Sequence, residues 1–192
     1  CRFHGWTYDL AGNLAETPPN VAPGGDKAQH GLVPIALARL GPMALVNLQS
    51  DAVPPSMPAV DAPLSPSAAY AGARMVDMSC NWKTLLECAL AGEGVAWHWP
   101  ALLLRQRGEV TLIDQIVPRT FLRTRVIRHA YAAGANEAAV QSAMAELNAL
   151  KTQVEALQTA RASGAAADAT HARVAELHAH LTRAYASDTS AA

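Results

Sequence analysis

The sequence predicts an α+β chain. A β-rich N-terminal part is followed by a Pro/Ala-rich linker, and then by a helix and an antiparallel sheet that end in a pair of C-terminal helices. Three observations carry this expectation. Short strand-like runs separated by turn residues fill residues 1–50. Pro54, Pro55, Pro58, Pro63 and Pro66 interrupt any periodic pattern over the next stretch. Beyond residue 136, apolar residues recur every three or four positions, the period of a helix with one buried face.

Taken in order, residues 1–16 read as a β-hairpin. Phe3, Trp6, Tyr8 and Leu10 supply strand-forming bulk, and Ala11-Gly12-Asn13 supplies the turn. Residues 17–31, with Pro18-Pro19 and Pro23-Gly24-Gly25, read as loop. Leu32–Ile35 and Ala44–Leu48 are short apolar runs on either side of a Gly41-Pro42 break. The linker is placed at residues 51–74, separating a domain of residues 1–50 from one of residues 75–192. Met78, Trp82, Leu85, Leu86 and Leu90 fit a buried helix starting near Asn81 and ended by Gly92 and Gly94. Val110–Val117 and Phe121–Tyr131 read as two strands joined at Pro118-Arg119. Val140, Met144, Leu147, Leu150, Val154 and Leu157 mark one long helix, and Val174, Leu177, Leu181 and Tyr185 a second. Ser163-Gly164 breaks the pattern between them, and Asp168 is the expected cap of the second helix. Two helices joined in this way form a helical hairpin.

The composition narrows the function classes. Half of the 192 residues are hydrophobic, so a core can be buried, whereas charged residues make up only 16%. A formal net charge of −1 gives no basic face for nucleic acid. No apolar run approaches the roughly 20 residues of a membrane span. The opening residues lack the pattern of a secretory signal. Three cysteines without paired spacing (Cys1, Cys80 and Cys88) fit a reducing, cytoplasmic setting. The chain opens on Cys1 rather than Met, so further sequence upstream is expected.

The chemistry is concentrated at the start: Cys1-Arg2-Phe3-His4-Gly5-Trp6-Thr7-Tyr8-Asp9. Cys-x-x-His alone is a weak signal and would equally describe a loop end with a solvated histidine. Extended to Cys-x-x-His-Gly-Trp-x-Tyr, it resembles the second half of the iron–sulfur ligand motif of Rieske-type ring-hydroxylating oxygenase alpha subunits. The similarity continues in Leu32-Val33-Pro34, in Gly41-Pro42-Met43-Ala44-Leu45-Val46-Asn47-Leu48, and in Asn81-Trp82-Lys83 with Glu87 one turn on. It is specific at residues 1–9 and 81–87 and looser over the rest of 1–50 and 75–131. Lys83 and Glu87 also read simply as a solvated helix pair.

The resemblance implies a [2Fe–2S] cluster with two cysteines on one iron and two histidines on the other. It makes Cys1 a thiolate ligand and His4 an imidazole ligand, which is half of the set. Gly5 would let the loop turn against the cluster, and Trp6 would pack beside it and limit water. In this family a Cys-x-His pair precedes the motif. The resemblance further implies a mononuclear Fe(II) in the catalytic domain, held by two histidines and a carboxylate. Aligned from Asn81, those positions hold Ala91, Gly94 and Trp99, and none matches. His98 lies one residue from the second histidine position, and a partly buried histidine beside Trp97 and Trp99 is the expected reading. Trp97–Leu104 instead resembles a later segment of the family, so part of the usual catalytic domain is expected to be absent between Glu93 and Trp97. Glu137, the only carboxylate near Val140-Gln141, has the wrong spacing for the third ligand and reads as a helix-start residue. His129, His171, His178 and His180 read as solvated or edge positions, and Cys80 and Cys88 as core cysteines.

The function implied is that of an oxidoreductase. A ferredoxin or reductase supplies electrons to the cluster, and O₂ is activated at iron to hydroxylate an aromatic or related small substrate, in a homotrimer. With half of one ligand set and none of the other, the chain alone is expected to be inactive. The alternative is a non-enzymatic remnant whose C-terminal helices serve packing or oligomerisation.

Overall fold

A computed structural model describes residues 2–40, 42–48, 64–99, 101–165 and 171–188. The chain divides into two compact units, Cys1–Val60 and Asp61–Ala192.

The first unit consists of two small hairpins. β1 (Thr7–Tyr8) pairs antiparallel with β2 (Leu14–Glu16), and β3 (Ala36–Leu40) with β4 (Met43–Asn47). The first turn is built by one side chain. Asp9 Oδ1 accepts from the amides of Ala11 (2.9 Å) and Asn13 (2.8 Å), and Oδ2 accepts from Asn13 Nδ2 (2.9 Å). Those hydrogen bonds, Asn13 first, hold the Asp9 carboxyl below the usual range. Leu14 is the only buried hydrophobic residue among those described in this unit. Phe3, Leu10, Val33 and Leu48 are exposed. Hairpins of this size gain little from their own core and rest on turn chemistry.

The second unit carries the core. Five antiparallel strands, β5 (Ala69–Met78), β6 (Val95–His98), β7 (Leu102–Arg107), β8 (Val110–Thr120) and β9 (Arg123–Ala132), form a sheet in the order β5-β9-β8-β7-β6. Three helices accompany it: α1 (Trp82–Leu90), α2 (Glu137–Ala162) and α3 (Ala172–Asp188). α2 packs across β5, β9 and β8, and α1 touches both α2 and α3. The alternation of β8 and β9 sets the core. Leu112, Asp114 and Ile116 pair with Ala130, Arg128 and Val126 on one face. Ile116 and Val126 pack with Leu85, Leu86 and Leu90 of α1 and with Leu147 and Val154 of α2, while Val174 and Leu177 of α3 close the same cluster. Leu112 and Ala130 pack with Val140, Ala143 and Met144.

The helix boundaries follow from capping. Asn81 precedes α1, and its side chain accepts from Lys83 N at 2.9 Å. Asn81 also donates from Nδ2 to the Phe121 carbonyl and from its backbone amide to Gln158 Oε1, each at 2.9 Å. One residue therefore fixes the start of α1, the β8–β9 turn and the end of α2. Asn136 caps α2 through Ala139 N, and Ser163 with Gly164 (φ +93) ends it.

The structure corrects two local readings. β5 begins at Ala69, inside the stretch assigned to the linker, because an Ala- and Gly-rich edge strand carries little strand signal. The β8–β9 turn lies at Phe121-Leu122 rather than Pro118-Arg119. Pro118 is tolerated within β8 beside a bulge, close to the strand end. Asp168 and the greater part of the 51–74 stretch lie outside the described residues.

Within the core, Asp114 and Arg128 are each 1% exposed. They form a two-pronged pair, Arg128 Nε to Oδ1 at 2.6 Å and Nη2 to Oδ2 at 2.7 Å, and Arg128 Nη1 donates to the Ala143 carbonyl of α2 at 3.0 Å. Removing one partner strands a buried charge. Arg128→Met is expected to cost about 3–5 kcal/mol in urea unfolding, and the double change Asp114→Leu/Arg128→Met not to recover it, because it leaves the buried Arg105 without the carboxylate 3.7 Å away.

Candidate functional site

The motif loop sits at the start of the first hairpin. Arg2–His4 form a turn that leads into β1, and His4 is exposed on it. The Phe3 and His4 rings meet edge to face at 4.2 Å. Among the described residues, no hydrogen bond engages the His4 ring nitrogens, so the imidazole is available as a ligand. Gly5 has φ +73, and a Cβ there would lie 2.9 Å from Pro18 Cγ. Only glycine allows the loop to turn this tightly against Pro18. Trp6 is half-buried, and its Nε1 donates to the Val21 carbonyl at 2.9 Å. Its ring meets that of His30 edge to face at 5.8 Å. His4, Trp6, Tyr8 and Val21 line one depression. The indole thus ties the loop to the 18–30 segment and leaves the imidazole open.

Cys1, the other residue assigned to the cluster, lies outside the described residues. Among those described, no group of three or more His, Cys, Asp or Glu side chains is placed to hold a metal. A Rieske cluster needs two thiolates and two imidazoles. This chain's motif offers one of each, so its residues alone do not fit a complete cluster.

The second unit places the remaining candidates apart. Ala91 caps α1, Gly94 occupies the turn after it at φ +65, and Trp99 follows β6. None carries a donor for iron. His98 is buried on β6 opposite Leu102. Trp97 and Trp99 also receive His180 of α3. Its ring lies 5.3 Å from that of Trp97 and stacks on Trp99 at 5.7 Å and 24°. Glu137 is exposed in the first turn of α2. His129 lies on β9 near Tyr70, with ring centroids 6.2 Å apart.

Lys83 and Glu87 do not pair with each other. Lys83 Nζ donates to Tyr185 Oη at 2.7 Å. Glu87 accepts from Arg161 Nη2 of α2 at 2.6 Å and meets His178 Nε2 of α3 at 2.8 Å. The carboxylate of α1 thereby clamps both C-terminal helices. The sequence gives α1 its amphipathic face but no hint of these long-range partners. The Asp114–Arg128 pair was also unassigned. Its signal lay in the period of two, because both charges fall on the inward parity of their strands.

No family model matches the sequence, and no curated protein matches it. Solved structures do. The chain is similar to the apo crystal structure of the quaternary ammonium Rieske monooxygenase CntA, with 15% identity, a TM-score of 0.59, and coverage of 83% of this chain and 59% of that one. It is similar to the same enzyme in complex with L-carnitine, with 14% identity, a TM-score of 0.59, and coverage of 83% and 60%. It is also similar to apo dicamba monooxygenase, with 13% identity, a TM-score of 0.65, and coverage of 100% and 80%. The chain therefore has a Rieske oxygenase-like fold of mixed helix and antiparallel sheet, and it spans about three fifths of the CntA structures.

Two outcomes follow. Glu87→Ala is expected to cost about 1–3 kcal/mol, because Arg161 loses its partner in a mostly buried place, and hydrogen exchange will show reduced protection in α3 first. Burial pushes the Cys80 thiol up from 9.0 to about 11. The unfolded chain ionises first, so stability falls as pH rises from about 9 towards 11. Urea unfolding at stepped pH, with Cys80→Ala as control, measures that loss.

Proposed function

We propose that this chain is part of the catalytic subunit of a Rieske non-heme iron oxygenase, with Cys1 and His4 as half of its [2Fe–2S] ligand set. The observation that carries the reading is the Cys1-x-x-His4-Gly5-Trp6-x-Tyr8 loop. Its glycine turn and indole anchor hold an open imidazole at the head of a hairpin, in a chain with a Rieske oxygenase-like fold. When bound, the cluster would supply one-electron transfer at a potential raised by its imidazole ligands. The chain's own residues would hold the loop: Gly5 by its left-handed backbone, Trp6 by packing and by its bond to Val21.

On this reading the whole protein takes electrons from a ferredoxin or reductase. It activates O₂ at a mononuclear Fe(II) and hydroxylates an aromatic or related small organic molecule, as a homotrimer in the cytoplasm. The two further cluster ligands and the ligands of the mononuclear iron are not found among this chain's residues. Ala91, Gly94 and Trp99 offer that iron no donor, so no step is assigned to it here and the chain by itself is inactive. The same three residues favour a second reading, a non-enzymatic remnant whose C-terminal helices serve packing or oligomerisation.

Anaerobic reconstitution with iron and sulfide, read by visible absorption and by EPR after reduction, separates the two. This chain alone is expected to give no cluster signal. The chain extended upstream by a segment bearing a Cys-x-His pair is expected to give the signal of a His-ligated cluster, and His4→Ala to remove it. A signal indifferent to His4→Ala, or none in the extended chain, would overturn the oxygenase reading in favour of the remnant.

A further inference from the structure

We propose that a pocket at the turn end of the β8–β9 hairpin is a binding site for a small, multiply charged oxyanion, a phosphate ester or a polycarboxylate. This inference does not depend on the iron chemistry. The pocket encloses about 490 Å³, within the range of small-molecule sites. Arg119, Arg123, Arg125 and Lys151 line it against a single carboxylate, Asp77.

Two of these cations are already engaged. Arg125 grips Asp77 with two hydrogen bonds of 2.7 and 2.9 Å. Lys151 Nζ donates to the Asp77 backbone carbonyl at 2.9 Å and lies 3.8 Å from Glu155. Glu155 in turn accepts from the Ser79 amide at 2.7 Å. The side chains of Arg119 and Arg123 make no hydrogen bond or ion pair among the described residues. Both nonetheless act on Asp77. Its carboxyl is held below the usual range first by the Arg125 hydrogen bond, with Arg119 and Arg123 adding to the field.

The backbone explains the convergence. The β8 bulge between Pro118 and Thr120 brings Arg119 to the pocket, and Arg123 opens β9 directly across from Thr120. Two guanidiniums held near each other repel, and Asp77 is already committed to a third. A carboxylate or phosphate group accepts paired hydrogen bonds from guanidinium forks and relieves that repulsion. A singly charged ligand would gain less, and an apolar ligand nothing.

The test titrates the full chain with inorganic phosphate and with citrate at fixed ionic strength, following backbone amide shifts by NMR. Saturable shifts at Ser79, Thr120 and Arg123 are expected. Arg119→Gln and Arg123→Gln, both surface changes, are each expected to weaken binding by about tenfold, and Arg183→Gln, on exposed α3, to leave it unchanged. Shifts that sodium chloride reproduces, or saturation that survives both pocket substitutions, would overturn the proposal. Binding of an acidic peptide without any binding of phosphate or citrate would also overturn it and mark the patch as a protein-docking surface.

Discussion

Asp114 and Arg128 occupy the centre of the sheet, where water is excluded and where each charge alone would be strongly unfavourable. They face each other across β8 and β9, so their pairing fixes the register of the two longest neighbouring strands. A slip of one residue would part them and turn Leu112, Ile116, Val126 and Ala130 away from the helices. The third contact of Arg128, to the Ala143 carbonyl, seats α2 over the same strands. Arg105 reaches Asp114 at 3.7 Å from β7, and burial pushes its guanidinium down while Asp114 pulls it back up. Sheet register, helix docking and the shape of the core thus share one electrostatic origin.

Legibility in the sequence tracked the range of the interactions involved. α1 and α2 were visible because helix period is written within a few residues, whereas the capping roles of Asn81 and Asn136 were read only from the structure. The Cys1–Tyr8 motif was visible for the same reason, as a local string whose glycine and tryptophan have local jobs. β5 was missed because Ala69–Ala73 carries small residues whose strand conformation is imposed by pairing with β9. The partners of Glu87, 74 and 91 residues away, and the seat of His180 against Trp97 and Trp99 are tertiary facts without a local trace. The inward charges went unassigned, although alternation puts Asp114 and Arg128 on the core parity of β8 and β9.

The two units obtain order by different means. The second has a layered core and a helix clamp at Glu87. The first has Leu14, an aspartate-built turn and a tryptophan bridge, and it leaves Phe3, Leu10, Val33 and Leu48 in water. Its local stability is therefore set by a handful of hydrogen bonds around Asp9 and Trp6. On the proposed reading of His4 as a ligand, that suits the loop, because turn chemistry fixes backbone geometry without needing a thick core.

Among the described residues, the outer strands β5 and β6 of the five-stranded sheet each pair with one neighbouring strand, and neither is a smooth template. β6 spans only Val95–His98. β5 is longer, but it is bulged between Tyr70 and Gly72, with Gly72 at φ +131, and it carries Arg74 and Asp77 further along. A second molecule laying a strand on that edge would meet a kink and then two charges of opposite sign. One rim of the sheet is thus guarded by brevity and the other by distortion, both of which disfavour strand addition.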